Sequence, residues 1–351
     1  MSDEFIGADV GGTKIAIAKL RDGVLSESEI CHTEQSSQEA LVEQLARRIE
    51  TARGPDTRAI GVGLPSVIEF ATGRILSSVN IPLEDLPLRE LLTERVGLPV
   101  YVENDASCAA LAEAFEDGKL TCPELVMFTI GTGVGGGWVL NGRLYRGART
   151  SAAEVGHTVI GRDLDEGDDG ADEPFPQRGS LEALASGRAL DRLADGAAAR
   201  YPDSYLGHTR GEQGHVTGTD VVDGANAGDE ASIYCLRILG QRLGIGIANA
   251  INTFDPDEVV IGGGAARAGE LLLEPAKRIA LGYVVPGLRG RATIRLAWHG
   301  VRAGVLGAAL LAAQEVSDEL AGRTDVDGPG GAGSNAAARL PLTAHEEASG
   351  S

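Results

Sequence analysis

The chain has 351 residues, enough to bury a substantial core and to form two or three domains or one large two-lobed unit. Its formal net charge of −20 repels phosphate backbones and argues against nucleic-acid binding driven by overall charge. No run reaches ~18 consecutive apolar residues, so no membrane span is expected.

The acidity is uneven, since residues 163–173 hold seven acids and no base, and residues 317–351 hold six acids and two bases. Forty-nine glycines are about twice the usual share, and with 43% apolar residues they imply close backbone packing and tight turns rather than disorder. The four cysteines (Cys31, Cys108, Cys122, Cys235) are widely scattered and read as reduced thiols of a cytoplasmic protein. The N-terminus carries acids where a signal peptide needs a basic region.

In chain order, Phe5–Val10 and Ile15–Leu20 read as two strands of a hairpin, joined by a turn at Gly11-Gly12-Thr13-Lys14. A third strand starts near Val24. Apolar residues at helical spacing (Ala40, Leu41, Leu45, Ala46, Ile49) place a helix over 38–53. Residues 59–65 form a buried strand, and 100–102 another that delivers Glu103-Asn104-Asp105 to an alanine-rich helix over 106–116. A second strand–glycine turn–strand unit follows at 125–140, with Gly131-Thr132-Gly133 as its turn, and Asn141-Gly142 closes a hairpin. Its similarity to the first suggests two lobes with related cores. Helices are expected at 181–195, 229–252 and 301–316, and a buried strand at 258–261 ends in Gly262-Gly263-Gly264. Beyond Ser317 the composition lacks periodicity and reads as a disordered tail.

Several groups have the chemistry of a site, each with a plain structural alternative. Asp9 at a strand end, followed by Gly11, Gly12, Thr13 and Lys14, suits a nucleotide phosphate and a hydrated Mg²⁺ held by Asp9, or is only a hairpin turn. Gly131, Thr132 and Gly133 can act likewise on the other side of the phosphate chain. Gly262, Gly263 and Gly264 offer bare backbone to an adenine or ribose, or mark a crowded strand-to-helix crossing. Asp105, before a helix N-terminus, can take a proton from an attacking alcohol. Equally, Asn104 or Asp105 is a helix cap. Glu154 and His157, three apart, can clamp vicinal sugar hydroxyls or form a surface ion pair. Glu182, in a helix capped by Ser180, complements the helix dipole.

Together and in this order, the stretches IGADVGGTK (6–14), ENDA (103–106), TIGTGVGGGWVLNGRLYRGARTSAAEVGH (129–157), GSLEALASG (179–187) and NTFDPDEVVIGGG (252–264) resemble the ROK family of repressors, open reading frames and sugar kinases. The resemblance covers about residues 5–315. It implies an α/β chain with the two-lobed actin-like ATPase fold of sugar kinases and Hsp70, with mixed sheets flanked by helices. The small lobe would span 1–111, joined by the helix at 301–316, and the large lobe 112–300. ATP, Mg²⁺ and a hexose are the implied ligands. Asp105 is the implied catalytic base. Ser66, Asn80, Asn104, Glu154, His157 and Glu182 are the implied sugar ligands. Asp9, Gly11, Gly12, Thr13, Lys14, the 131–133 turn and the 262–264 glycines are the implied MgATP site.

The sequence departs from the family at its zinc site, where a histidine and three cysteines are usual. No cysteine lies between His157 and Glu182; Phe175 and Ser180 stand at two of the cysteine positions. A tetrahedral thiolate site cannot form from these residues, so no structural zinc is expected. The stretch Asn80-Ile81-Pro82-Leu83-Glu84 also lacks a tryptophan usual in the family. The leading expectation is a cytoplasmic ATP-dependent glucokinase of carbohydrate phosphorylation, a homodimer or homotetramer. The alternatives are a kinase for fructose, mannose or an N-acetylhexosamine, or a non-catalytic sugar-binding regulator. Against the regulator, the Asp9 motif starts within ten residues of the N-terminus, leaving no space there for a DNA-binding domain.

Overall fold

The computed structural model describes residues 2–161 and 175–322. The acidic loop 163–173 and most of the expected tail lie outside these residues. In chain order the first elements are β1 (Glu4–Val10), β2 (Lys14–Arg21), β3 (Val24–Leu25), β4 (Glu29–His32), α1 (Gln38–Ala52), β5 (Thr57–Leu64), β6 (Ser66–Glu69), β7 (Arg74–Ser78), α2 (Leu88–Val96), β8 (Val100–Asn104) and α3 (Asp105–Glu113). Next come β9 (Phe115–Glu116), β10 (Lys119–Leu120), β11 (Leu125–Ile130), β12 (Val134–Leu140) and β13 (Arg143–Leu144). The remainder is α4 (Leu181–Ala185), α5 (Gly187–Arg200), α6 (Tyr205–Gln213), α7 (Gly218–Asn226), α8 (Glu230–Phe254), β14 (Glu258–Gly262), α9 (Glu270–Tyr283), β15 (Thr293–Leu296) and α10 (Ala303–Leu320). Short 3₁₀ turns include Val155–His157 and Gly264–Ala268.

The chain divides into two compact units. One comprises the residues up to Pro123, Gly137–Ala152 and those from Val301, and the other Glu124–Gly136 and Ala153–Gly300. The first unit is built on a sheet ordered β3-β2-β1-β5-β8, with β4 also paired to β2. β1 and β2 are antiparallel, with Val10 opposite Ile15, whereas β1–β5 and β5–β8 are parallel. Alternation along β1 sends Ile6 and Ala8 into a core shared with Leu41, Leu45 and Ile49 of α1. It sends Gly7 to the other face, where a Cβ would run into the Val305 carbonyl of α10. A Cβ at Gly61 of β5 would meet the Ala308 carbonyl, and one at Gly307 the Cys108 carbonyl of α3. Three of the glycines thus bring α10 to backbone contact with two strands and a helix.

In the second unit β11, β14 and β15 are parallel. Helix α8 packs on α9 through Gly240 and Gly244, which face the Leu272 and Ala276 carbonyls. No helix among the described residues is long and apolar enough to cross a membrane.

Three expected helices change their bounds. The helix expected over 106–116 stops at Glu113, because Asp117 and Gly118 both take positive φ (49° and 72°) in the turn joining β9 to β10. The helix expected over 181–195 is two helices, interrupted at Ser186, whose side chain caps α5 by accepting the Ala189 N–H. The last helix runs to Leu320, beyond the expected boundary at 316. Its extra turn has no apolar period; it is fixed by charge and hydrogen bonding, since Asp318 pairs with Arg143 and Glu319 accepts the Tyr101 hydroxyl at 2.7 Å.

Candidate functional site

In the first unit the expected residues converge at the C-terminal ends of β1 and β8. The turn after β1 is closed by the Gly11 N–H donating to the Lys14 carbonyl at 2.9 Å. It is latched from outside by Thr33, whose hydroxyl donates to the Gly11 carbonyl at 2.7 Å, and by Gln35, whose amide donates to the Gly12 carbonyl. Gly12 lies against Asn80; a Cβ there would stand 3.0 Å from the Asn80 Cβ and carbonyl oxygen. The first turn of α10 abuts Asp9 at Gly304, where a Cβ would lie 2.5 Å from a carboxylate oxygen.

Asn104 caps α3, its side-chain oxygen accepting the Ala106 and Ser107 N–H groups at 2.9 and 3.2 Å. Its amide nitrogen donates to the Ser66 carbonyl at 3.3 Å. The structural reading of Asn104 as a cap therefore holds, and the same cap fixes the backbone entering Asp105. Asp105 Oδ1 accepts the Ala106 N–H at 2.8 Å. The Ser66 hydroxyl is shared with that of Ser78 at 2.7 Å. Burial and, after it, the charge of Asp105 push the Asp9 carboxyl up to about 7, against the opposing pull of Lys14. Burial also raises Asp105, against the hydrogen bond from Ala106. Two neighbouring carboxylates that both resist ionisation favour a divalent cation beside them. A hydrated Mg²⁺ beside Asp9 would relieve that cost.

In the second unit Glu154 precedes the Val155–His157 turn, and its carboxylate stands 3.7 Å from His157 Nε2. The Phe175 ring lies 4.6 Å from the imidazole, and Nδ1 is buried with no partner among the described residues. Ser180 spends its hydroxyl on the Ala183 N–H, capping α4. No group of three or more His, Cys, Asp or Glu side chains suited to a metal occurs among the described residues. With Phe175 packed on His157 and Ser180 occupied as a cap, these residues do not fit a zinc ion of the family's thiolate type.

Glu182 Oε2 accepts the Val134 N–H at 2.9 Å. Gly133 leaves room for that carboxylate, into which a Cβ would collide. Beside the same turn is a cavity of about 290 Å³, lined by Thr132, Arg188, Asp191, Thr217, Gly264 and Arg267 among others. Its size is near the lower end of small-molecule clefts, which run from roughly 300 Å³. Gly131 lines it too, whereas Gly133 does not. Of the three consecutive glycines only Gly264 reaches it. Gly262 is buried against Met127, and Gly263, at φ 83°, packs on the Ile130 backbone.

The sequence reading missed Arg188, Asp191, Thr217, Gly218 and Arg267. The break between α4 and α5 brings in the first two: the Gly187 N–H donates to the Gly131 carbonyl at 2.8 Å, and Asp191 accepts the Gly218 N–H at 2.6 Å. One signal was available, Ser186-Gly187 inside an otherwise helical run, which marks a cap followed by a close approach.

The ROK family model matches residues 5–315. A glucokinase of Halalkalibacterium halodurans is 34% identical over 324 residues, covering 90% of this chain and 97% of that protein. An N-acetyl-D-glucosamine kinase of Pasteurella multocida is 30% identical, covering 87% and 98%. A ROK family glucokinase from Streptomyces griseus, solved in complex with glucose and AMPPNP, superposes with a TM-score of 0.74 at 32% identity, covering 89% of this chain and 99% of that one. The α/β architecture is that of the actin-like ATPase fold of these kinases. On a match of nearly its whole described length, the chain belongs to the ROK family.

Proposed function

We propose that the chain is an ATP-dependent hexose kinase that transfers the γ-phosphoryl group of ATP to the 6-hydroxyl of glucose. The observation that carries the reading is the β8–α3 junction. It presents a carboxylate, Asp105, whose Oδ1 is tethered by the Ala106 N–H and whose proton affinity burial raises. Such a carboxylate is better matched to accepting a hydroxyl proton than an ordinary aspartate.

In this reading Asp105 orients the sugar hydroxyl and takes its proton as the oxygen–phosphorus bond forms. The bond from the γ-phosphorus to the bridging oxygen breaks, and ADP leaves. Phosphoryl transfer through a loose transition state needs little early proton removal, so most of the catalysis comes from positioning and charge neutralisation. Mg²⁺ bound through water at Asp9 would supply part of that neutralisation. The turn 11–14 would approach the phosphates with the backbone N–H groups beyond that of Gly11, which closes the turn. The cavity at Thr132, Arg188 and Gly264 would take the nucleoside. Asn104, Ser66, Asn80, Glu154, His157 and Glu182 would hold the sugar.

ADP release from MgATP, measured against a panel of glucose, mannose, fructose, N-acetylglucosamine and N-acetylmannosamine, tests the reading. Glucose is expected to be turned over best, and release stimulated by none of the sugars would contradict it.

A further inference from the structure

Glu103 is 5% exposed, directly before the cap residue Asn104, and the activity just proposed gives it no role. It is held by Arg146, whose Nε donates to Glu103 Oε2 at 2.7 Å. The same guanidinium donates through Nη2 to Glu315 Oε1 of α10 at 2.9 Å and lies 3.4 Å over the Phe70 ring. Thr150 ties the loop that carries Arg146 back to the end of β6 and the turn that bears Phe70: its hydroxyl donates to the Ile68 carbonyl at 2.9 Å and accepts the Phe70 N–H at 3.2 Å. Glu103 uses its second oxygen, Oε1, to accept the Asn104 N–H at 2.9 Å. A continuous path of short polar contacts thus runs from Glu315 through Arg146 and Glu103 to the backbone nitrogen of Asn104. The next residue is Asp105.

We infer that Arg146 is a positioning residue for Asp105, acting through Glu103 and the Asn104 backbone. The inference rests on the reading of Asp105 as the base. A carboxylate buried as deeply as Glu103 keeps its charge only beside a cation, and a charged carboxylate holds the Asn104 N–H more strongly than a neutral one. Without Arg146 the Glu103 carboxylate is left buried without its cation and turns toward water. Its grip on Asn104 then weakens at the residue whose cap sets the direction of α3. Arginine suits the position because its planar fork serves two carboxylates at once while stacking on a ring, which an ammonium cannot do. Misplacing a catalytic group by about 1 Å costs up to ~100-fold in rate.

The test compares wild type with Arg146→Met, Arg146→Lys, Glu103→Gln and Arg146→Met/Glu103→Gln. Steady-state ADP release and calorimetric glucose binding are measured on each, and circular dichroism confirms folding. Arg146→Met is expected to lower kcat by more than about fivefold while the glucose Kd changes by less than about threefold, because the sugar ligands other than Asn104 are untouched. Adding Glu103→Gln is expected to return part of the lost kcat, since the amide oxygen still accepts the Asn104 N–H and no uncompensated charge is left at position 103. If Arg146→Met does not fold, Arg146→Lys, which keeps the charge but not the fork, is judged by the same criterion. A smaller loss of kcat, or a double variant no better than the single one, overturns the inference. Asp105→Asn in the same series separates the two levels: if it retains turnover, the base assignment fails, whereas an inactive Asp105→Asn beside a normal Arg146→Met defeats only the role of Arg146.

Discussion

Asp9 offers a prediction whose sign and size both follow from its surroundings. Burial and the nearby Asp105 push its carboxyl up to about 7 in the folded chain, from 3.8 in the unfolded one. Between those two values the folded state binds a proton that the unfolded state has released. Stability of the ligand-free protein therefore falls as the pH rises through this window, and the full loss is reached above about pH 7. Three pH units at about 1.36 kcal/mol each give a ceiling of about 4 kcal/mol. Asp9→Asn keeps the shape and removes the charge. Its stabilisation should approach that ceiling at pH 8, fall to about 1.5 kcal/mol at pH 5 and vanish below pH 4. For a chain of this size each kcal/mol moves the melting midpoint by about 2 °C, so thermal scans in EDTA should show a gain of about 8 °C at pH 8 and a few degrees at pH 5. A gain that is the same at both pH values, or a loss at pH 8, would refute the assignment of a strained, buried carboxylate.

Four further outcomes follow from the same geometry. Gly61→Ala places a methyl group on the Ala308 carbonyl and should cost about 3 kcal/mol or more in urea unfolding, whereas Gly282→Ala, in α9 with nothing near its Cβ position, should be neutral or stabilise by up to about 1 kcal/mol. Gly187→Ala pushes on the Gly131 carbonyl at the cavity, so the KM for ATP should rise several-fold while glucose binding is unchanged; equal changes in both would contradict the placement of the nucleoside. The acid limb of kcat/KM for glucose should lie above the ordinary aspartate range because burial raises Asp105, and a limb at or below about pH 4 would contradict that. A chain ending at residue 317 should melt below one ending at residue 322, since only the longer chain keeps Asp318 with Arg143 and Glu319 with Tyr101.

What could be read from the sequence was what is local. The β1–β2 hairpin follows from two apolar runs around Gly-Gly. The Ser180 cap of α4 and the Asn104 cap of α3 follow from short polar residues before helical runs, and Glu154 beside His157 follows from a spacing of three. Arg146 was invisible because its partners stand 43 and 169 residues away, at Glu103 and Glu315. Likewise, the cavity gathers residues from α5, α7 and the turn after β14, and no spacing in the chain encodes that meeting. The last turn of α10 was assigned to the tail because its residues are acidic and aperiodic. Ionic and hydrogen-bond partners in the first unit, not an apolar face, continue the helix there.

The measurement that bears most directly on the account is ³¹P NMR of the product formed from glucose and MgATP by the wild type and by Asp105→Asn, with glucose binding followed by calorimetry in both. The account predicts glucose 6-phosphate from the wild type, at least ~100-fold slower formation by the variant, and glucose binding that survives in part. Product formation at a near-normal rate by Asp105→Asn, or phosphate transferred to another hydroxyl, would contradict it.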